Sequence, residues 1–524
     1  MVEDKDHMIG SRILCDGYCG TLKYVGPVEN TKGIWLGIDW DDFSRGKHGG
    51  TYKDVEYFKT WHPNSGSFVR LEKVKFGISC PDAIKMKYGL VNDDLAGIDR
   101  NKLSSLQKEI NAPFMEMVGF SKVNKKQSKF ENLEVVCLRG ECVSNAGDPD
   151  ELIKLSPNIT ELDLSKNLIC SWKAVAEIVS QLVHLKRLNV SENNLIVDEE
   201  ELNELKHAFT SVTDLTMTKM NYTSNDVNHC INIFPGLKIL SVSFNLIKEL
   251  QEFNCMKLTS LTLEENEIHC WDEILKLGCL PCLESINLNC NKLLFIRFPI
   301  ENSNEKTNYF SVLKQMHISN NNISEWNSVS ELDKLKCLED LKFRENPILR
   351  KESFETTRQL IIARISNLKL LNSTEIFYTE RSGAENDYLK MFAKEWIESE
   401  NDSEKRIKFL NNHPRYPALV QKYGVADIPT SKTDMAMISN VISVEFACPD
   451  DPAQSKGIKR KLLKDMDVQK VTGLAQRLFK TCGKIPTLSF VQQELSKVEI
   501  PLDKPLQKLS YYSIQDGDHI LVRW

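Results

Sequence analysis

The sequence lacks the segments that would take it into or across a membrane. No apolar run in its 524 residues approaches the about 20 residues that span a bilayer, and residues 1–10 are charged, with no apolar signal core. The net charge of −6 argues against a protein that coats nucleic acid. Because the 15 cysteines are scattered and follow no export signal, we expect reduced thiols in a cytoplasmic protein. Neither a membrane nor a nucleic acid is therefore expected as a partner.

The sequence also lacks the motifs of common catalytic sites. It contains no P-loop, no dinucleotide glycine fingerprint, no G-x-S-x-G and no H-E-x-x-H, and its 10 histidines are dispersed. The C-x-x-C formed by Cys279 and Cys282 has no second cysteine pair and no histidine partner, so we expect ordinary core or loop cysteines there. We predict no enzyme, no cofactor and no metal site.

What the sequence has in abundance is a repeat. From about Leu133 to Ile348 the template L-x-x-L-x-L-x-x-N-x-L recurs every roughly 21 to 30 residues, the period of a leucine-rich repeat. One repeat cannot cover its own apolar face, so consecutive copies predict a solenoid. Two weaker units begin at Leu133 and Val212, and Met220 replaces the asparagine in the second. The asparagines of the seven good copies are Asn167, Asn193, Asn245, Asn266, Asn291, Asn321 and Asn346.

The repeat pattern predicts the location of two sets of polar groups. Each asparagine lies where the chain leaves a strand, and its amide is expected to satisfy buried backbone groups of that turn and of its neighbour. The variable strand positions are expected to form a broad, mixed-charge wall suited to docking a protein. These positions include Glu161, Asp163, Arg187, Asn189, Asp214, Thr216, Ser260, Thr262, Ser285, Asn287, Gln315, His317, Asp340 and Lys342.

The N-terminal module combines glycines, aromatic residues and positive charge. The segment from Arg45 to Lys87 contains nine basic residues and four acidic ones, in a chain that is acidic overall. Closely spaced glycines allow positive φ and bring backbone N–H groups close to a ligand, while aromatic side chains supply flat apolar walls. The combination predicts a groove for an acidic peptide end, in which N–H groups and a lysine bind the carboxylate.

The segments Gly33–Trp40, Gly46–Gly50, Tyr57–Phe58 and Gly66–Arg70 resemble the CAP-Gly family. The resemblance implies binding of C-terminal Glu-Glu-Tyr or Glu-Glu-Phe tails, above all that of α-tubulin. The family's usual loop is Gly-Lys-Asn-Asp-Gly, whereas this chain has His48 and Gly49 at the two middle positions. The peptide-binding residues that we predict are Trp35, Gly46, Lys47, His48, Gly49, Gly50, Phe58, Phe68 and Arg70.

The C-terminal module is predicted to contain strands, then one helix, then further strands. Ile442, Val444 and Phe446 alternate with polar residues, and Val471, Leu474 and Phe479 share one helix face. The order resembles a ubiquitin-like β-grasp domain. The sequence closes on Arg523-Trp524 without a Gly-Gly pair, so docking is expected of this module and conjugation is not.

The order of the three modules resembles the tubulin-folding cofactor E family. That resemblance implies a cytoplasmic, cytoskeleton-associated chaperone that binds α-tubulin and the αβ-tubulin dimer and promotes assembly of the dimer, with possible dissociation. It also implies tubulin-folding cofactors B, C and D and an Arf-like small GTPase as partners. The alternative is a microtubule-associated adaptor that uses the CAP-Gly module for localisation and the repeats for recruitment. A third reading, a scaffold of the ubiquitin pathway, depends only on the C-terminal module.

The predicted fold class is multidomain: a small β-rich CAP-Gly domain, an α/β leucine-rich-repeat solenoid and an α+β ubiquitin-like domain. The boundaries that we predict are 1–95 for the CAP-Gly domain, 96–130 for a linker, 131–375 for the repeats with their C-terminal cap, 376–430 for a helical linker and 431–524 for the ubiquitin-like domain. Within the helical linker, Tyr388, Met391, Phe392 and Trp396 are predicted to form a stripe that packs on the cap.

Overall fold

A computed structural model describes residues 9–89, 126–299, 305–400, 402–425, 441–450, 457–480, 484–491 and 499–524. The chain divides into two compact units, residues 1–291 and 292–524. Most of the linker predicted over residues 96–130 lies outside the described residues. Among the helices that are described, none has both the length and the apolarity to cross a bilayer.

The N-terminal module is a small antiparallel sheet, as its many short apolar segments predict. Its five-stranded sheet has the order β6-β3-β2-β1-β7, and a separate hairpin joins β4 to β5. One face of the sheet buries Ile13, Leu22, Ile38 and Trp40. The strands are β1 (Arg12–Cys15), β2 (Tyr18–Pro27), β3 (Ile34–Trp40), β4 (Thr51–Tyr52), β5 (Val55–Glu56), β6 (Gly66–Val69) and β7 (Lys75–Phe76).

Residues just after this sheet join the module to the repeats. Strand β8 (Ile78–Ser79) pairs in parallel with β10 (Val143–Asn145), and helix α1 (Cys80–Tyr88) lies against the first repeats. The Tyr88 hydroxyl accepts a hydrogen bond from the backbone N–H of Cys137 at 2.8 Å. Lys85 Nζ lies 2.7 Å from a Glu151 carboxylate oxygen. The N-terminal module and the repeats of the first unit are therefore attached through strand pairing as well as through the chain.

Each good copy of the template supplies one three-residue strand. The first unit contains β9 (Val135–Cys137), β11 (Glu161–Asp163), β12 (Arg187–Asn189), β13 (Asp214–Thr216), β14 (Ile239–Ser241), β15 (Ser260–Thr262) and β16 (Ser285–Asn287). These strands pair in parallel with Val136, Leu162, Leu188, Leu215, Leu240, Leu261 and Ile286 in register, all buried. Short helices return the chain: α2 (Glu151–Leu155), α3 (Trp172–Ser180), α4 (Glu199–Leu205), α5 (Ser224–Ile231) and α6 (Trp271–Leu275).

The asparagines form the predicted ladder of hydrogen bonds. Asn193 Nδ2 donates to the carbonyls of Leu164 and Val190, both at 2.9 Å, and its Oδ1 accepts from Asn167 N. The residue before the asparagine has positive φ, as at Lys166 (φ 54°), Glu192 (φ 57°) and Phe244 (φ 55°). A left-handed non-glycine residue costs roughly 1–2 kcal/mol, so the buried amide contacts offset a backbone strain that the template does not reveal.

The predicted wall of strand positions is present, with a composition that differs from the expectation. None of the polar strand residues named above is buried. Val135 and Ile239 occupy equivalent positions with exposed fractions of 55% and 44%. The strand face therefore carries apolar side chains among the polar ones.

The second unit begins with the last repeats and their cap. It contains β17 (Gln315–His317), α7 (Trp326–Glu331), β18 (Asp340–Lys342), α8 (Phe354–Arg364), β19 (Leu370–Leu371) and β20 (Thr374–Glu375). Strands β17, β18 and β19 pair in parallel, and β20 turns back antiparallel on β19. Helix α8 lies within the segment predicted to hold the C-terminal cap of the repeats.

Three helices follow the cap and pack into a cluster. They are α9 (Tyr378–Ser399), α10 (Ser403–Asn412) and α11 (Tyr416–Tyr423). Tyr388 and Trp396 are buried in the cluster, whereas Met391 is 52% exposed, so its predicted place in the stripe is wrong. The buried face follows i, i+4 and i+8 spacing, and Met391 lies beyond its edge.

The C-terminal module has the predicted β-grasp order. Its strands are β21 (Val441–Ala447), β22 (Ile458–Leu463), β23 (Thr487–Val491), β24 (Glu499–Pro501) and β25 (His519–Arg523), with α12 (Val468–Phe479) across the sheet core. The sheet order is β22-β21-β25-β23-β24, in which β21 and β25 are parallel. Leu506 joins the helical cluster, and Lys390 Nζ donates to Gln469 Oε1 at 2.7 Å. This module is therefore docked on the helices of its own unit.

Candidate peptide-binding groove

The candidate site lies on the face of the N-terminal sheet opposite its core. Strand register places Gly37 opposite Phe68 and beside Tyr24. Because side chains alternate along a strand, Trp35, Phe68 and Arg70 share this outer face, while Leu36, Ile38 and Val69 point into the core. Most of the predicted aromatic residues are thus brought together by the sheet.

Gly37 leaves space for a ring in the middle of this face. A Cβ atom at Gly37 would lie 2.4 Å from the Phe58 ring. Phe58 is buried and meets Phe68 edge to face, with centroids 5.5 Å apart. Tyr57 also meets Phe68 edge to face at 5.4 Å. These rings form the apolar wall that the composition predicts.

Tyr24 and Tyr57 are two further rings of this wall that the sequence prediction missed. Tyr24 lies 5.3 Å from Tyr57 and 6.3 Å from Phe68, measured between ring centroids. Burial, followed by the neighbouring Tyr57, raises the pKa of Tyr24. A register shift between Leu22 and Tyr24 turns Tyr24 to the outer face, opposite Gly37, whereas simple alternation along β2 would place it with Leu22 in the core.

The Gly46–Gly50 loop is fixed on β6. The N–H groups of Lys47 and His48 both donate to the carbonyl of Gly66, at 2.7 and 3.2 Å. Gly46 N donates to the Phe43 carbonyl at 3.2 Å, and Gly50 N donates to His48 Nδ1 at 3.1 Å. Four of the five loop N–H groups therefore have an acceptor within the protein. The fifth, that of Gly49, has no acceptor among the described residues. The expectation that the loop offers several bare N–H groups is corrected accordingly.

The glycines of this loop are required mainly by space. A Cβ at Gly46 would lie 1.9 Å from the Asn64 carbonyl oxygen, and one at Gly50 would lie 1.8 Å from that of Phe58. Gly50 also has φ +97°, a conformation that other residues adopt only with strain. These glycines allow close packing of backbone against backbone, which keeps the loop rigid.

His48 links the loop to the aromatic wall. Its ring centroid lies 5.1 Å from that of Phe68 and 6.2 Å from that of Phe58. Because Nδ1 accepts the Gly50 N–H, the proton of the neutral ring is on Nε2. Burial and then the Lys47 charge lower the pKa of His48, so the ring is neutral at pH 7. His48 thus supplies one N–H donor where the family's usual loop has an asparagine amide.

The positive groups of the site lie at its surface. Lys47 is exposed and has no ion pair with the described residues. The Arg70 guanidinium stacks on Trp35, 3.7 Å from the ring centroid, and its Nη1 donates to the Ile34 carbonyl at 3.1 Å. Trp35 Nε1 donates to Thr31 Oγ1 at 2.8 Å. The arrangement combines an apolar wall with a free ammonium group, which suits a carboxylate beside an aromatic or aliphatic side chain.

No cluster of three or more histidine, cysteine or acidic side chains suited to a metal ion occurs among the residues that the structure describes. Cys279 and Cys282 are both exposed.

The fold and this groove define a multidomain CAP-Gly protein with leucine-rich repeats and a ubiquitin-like domain. The CAP-Gly family model matches residues 9–74. Tubulin-specific chaperone E of Danio rerio is 38% identical over 529 residues, with 99% of each chain covered, and that of Homo sapiens is 35% identical, with 99% of this chain and 98% of the relative covered. The chain belongs to the tubulin-specific chaperone E family.

The C-terminal module has a solved relative. The ubiquitin-like domain of mouse tubulin-specific chaperone E is 33% identical, covering 17% of this chain and 94% of that one, with a TM-score of 0.16. The N-terminal antiparallel sheet, the stack of parallel repeat strands and the C-terminal mixed sheet confirm the multidomain fold class that the sequence predicts.

Proposed function

We propose that this chain is a tubulin-folding chaperone that binds α-tubulin at two places. The N-terminal groove binds the acidic C-terminal tail, and the leucine-rich repeats bind the folded body of the subunit. The observation that carries the proposal is the exposed Lys47 next in sequence to His48, whose ring packs on the wall of Phe58 and Phe68, in a member of the tubulin-specific chaperone E family.

The tail would meet three kinds of group in the groove. Lys47, the Gly49 N–H and the Nε2–H of His48 are donors for carboxylates, while the aromatic wall accepts a terminal ring. Arg70, held on Trp35, presents its remaining N–H groups at the same face. All of these groups bind without forming a covalent bond, so we propose no enzymatic step and no cofactor for this chain.

Two weak contacts on one subunit reinforce each other, because the second contact forms within the complex at a high effective concentration. We propose that this avidity lets the protein hold α-tubulin while the αβ dimer assembles, and that the same contacts serve its dissociation. Tubulin-folding cofactors B, C and D and an Arf-like small GTPase are the partners that the family implies. A cytoplasmic, cytoskeleton-associated location follows from those partners.

The groove is tested by reversing the charge of Lys47. Lys47→Glu should weaken capture of soluble tubulin that carries its C-terminal residues by about tenfold, since a charge-assisted contact becomes repulsive. Binding of tubulin that lacks those residues should change less than about twofold. The affinities can be measured by surface plasmon resonance with immobilised protein.

Lys73→Glu is the matched control, because Lys73 is an exposed lysine of the same module that lies outside the groove. An equal loss for tailed and tail-less tubulin in the Lys47→Glu protein would remove the groove from the mechanism.

The alternative function, a microtubule-associated adaptor, uses the same groove. The two functions differ in the form of tubulin that the protein binds. A chaperone should capture a lone α subunit or split the dimer, whereas an adaptor should sediment with polymer and leave dimers intact. Co-sedimentation and size-exclusion assays on one preparation distinguish the two functions.

A further inference from the structure

A cavity of about 470 Å³ lies at the C-terminal end of the repeats, inside the second unit. Its floor is apolar: Phe343, Ile361 and Leu371 line it, and each is at most 1% exposed. Such a volume accommodates one or two side chains of a protein ligand. The cavity is formed by the end of β18, the loop that leads to α8, and the first turns of that helix.

The rim of this cavity is positively charged. Arg344, Arg350 and Arg358 line it together with one carboxylate, Glu345. Arg358 is neutralised by Glu380, with nitrogen-to-oxygen distances of 2.5 and 3.1 Å. Arg344 and Arg350 form no ion pair with the described residues, although Arg344 Nη2 donates to the Asn372 carbonyl at 2.8 Å. Two arginines with free donors therefore remain at the mouth of an apolar cavity.

A buried hydroxyl group in the same cavity has no partner. Thr357 lines the cavity and is 6% exposed, and its Oγ1 makes no hydrogen bond with the described residues. An unsatisfied buried hydroxyl is unfavourable, so a ligand that supplies a hydrogen-bonding group there gains free energy. This observation is independent of the charge on the rim.

The surface next to the cavity exposes an aromatic side chain. Phe354, also in the lining, is 77% exposed although it begins a helix whose other apolar residues are buried. A large apolar side chain left in solvent beside a cavity with an apolar floor is typical of a surface that another protein covers.

We infer that this cavity binds the folded body of tubulin, through an acidic stretch that inserts one protruding apolar side chain. The apolar floor takes the side chain, Arg344 and Arg350 pair with flanking carboxylates, and the Thr357 side chain turns so that Oγ1, which is shielded from solvent in the free protein, hydrogen-bonds to the inserted segment. The inference is based on the proposed function and identifies where on the repeats the second contact is made. The occupant is acidic because the two unpaired cations of the rim outnumber its single carboxylate.

The test uses the full chain and tubulin from which the acidic C-terminal tails have been removed, so that the N-terminal groove does not contribute. Arg350→Glu should weaken capture of this tail-less tubulin by about tenfold. Lys351→Glu is the control, because Lys351 is the adjacent exposed lysine and does not line the cavity. The control should leave capture within about twofold of the unchanged protein.

A second variant addresses the hydroxyl and guards against misfolding. Thr357→Val keeps the shape of the side chain and removes only the oxygen, so it should lower affinity for tail-less tubulin about threefold without lowering the melting temperature. An unchanged affinity in both Arg350→Glu and Thr357→Val, with tail-less tubulin still captured by the unaltered chain, overturns the cavity alone. If the unaltered chain does not capture tail-less tubulin at all, the proposed contact of the repeats with the tubulin body fails as well.

Discussion

At the scale of single residues, the asparagine amides show why one residue type recurs in the repeats. Each amide lies where two turns meet, and a single side chain supplies both donors and an acceptor to backbone groups that water does not reach. Met220 has no such amide, but the ladder resumes at the next repeat: Asn245 Oδ1 accepts from both Met220 N and Tyr222 N, at 3.0 and 3.1 Å. The repeats therefore continue in register past one position that lacks the asparagine.

Asn193→Ala removes this support and should destabilise the first unit by about 3 kcal/mol. Two buried carbonyls lose a donor and the Asn167 N–H loses its acceptor, at about 1 kcal/mol or more each. The loss can be measured by hydrogen-exchange mass spectrometry of peptides from residues 160–190. Asn194→Ala, at the adjacent exposed position, should leave exchange unchanged. Equal effects of the two variants would contradict the ladder.

At the scale of elements, the cluster of α9, α10 and α11 has a buried polar interior. Burial opposes ionisation of Glu385, but Lys422, Arg415 and Tyr423 outweigh it and lower the pKa of this carboxyl group. Arg415 Nη2 and Lys422 Nζ lie 3.0 and 2.8 Å from its oxygens. Helices joined by such a network form a packed body, so the term linker in the prediction describes their position in the sequence and not their structure.

His413 gives this cluster a pH dependence. Its ring lies between Phe392 and Phe409, and Nδ1 is 2.7 Å from the Tyr388 hydroxyl. Burial, with a further contribution from Arg364, lowers the pKa of His413 to about 3. Because the unfolded chain binds a proton near pH 6.5, the stabilisation is complete above that pH and is lost as the pH falls from 6.5 towards 3.

The cluster should therefore lose about 2 kcal/mol between pH 7 and pH 5. Hydrogen-exchange protection of residues 378–423, corrected for the intrinsic exchange rate, measures this loss. The glutamine in the His413→Gln variant cannot titrate, so the stability of the cluster should change little between pH 7 and pH 5. The pKa of Glu385 is lowered, so that carboxyl group loses its contribution only at lower pH and does not interfere. The same slope in both proteins would show that another group is responsible.

At the scale of the whole molecule, the proposed avidity depends on how the groove is attached to the repeats of its unit. The attachment includes the pairing of β8 with β10, and it leaves no room at Gly77, where a Cβ atom would lie 2.2 Å from the Ser144 side chain. A rigid attachment keeps the groove at a defined distance from the repeats and raises the effective concentration of the second contact.

Gly77→Ala should loosen this attachment without changing the groove. We expect the affinity for an acidic Glu-Glu-Tyr peptide to stay within twofold, while capture of intact soluble tubulin falls about tenfold. Gly383→Ala is the control, since a Cβ there meets nothing within 4 Å. Isothermal titration calorimetry with both ligands gives the comparison, and a parallel loss for peptide and tubulin would contradict the role of the attachment.

The sequence by itself determined the repeats, the ladder, the cap helix and the two small modules. Their signals are local: a strand or helix face needs apolar residues at fixed spacing, and a glycine-rich loop needs glycine wherever backbone packs on backbone. Lys47, Phe58 and Phe68 could be chosen as candidate site residues because each lies in a segment that matches the family motif.

Only the tertiary structure decided which groups of that site are free. The acceptor for Lys47 N and His48 N is the carbonyl of Gly66, about 20 residues away, and no local pattern shows that these donors are already used. Local patterns also do not show that Tyr24 belongs to the aromatic wall or that Thr357 is buried without a partner beside a cavity. Nor do they show that strand β8 joins the N-terminal module to the repeats. Each depends on contacts between residues distant in sequence, and such contacts exist only once the chain has folded.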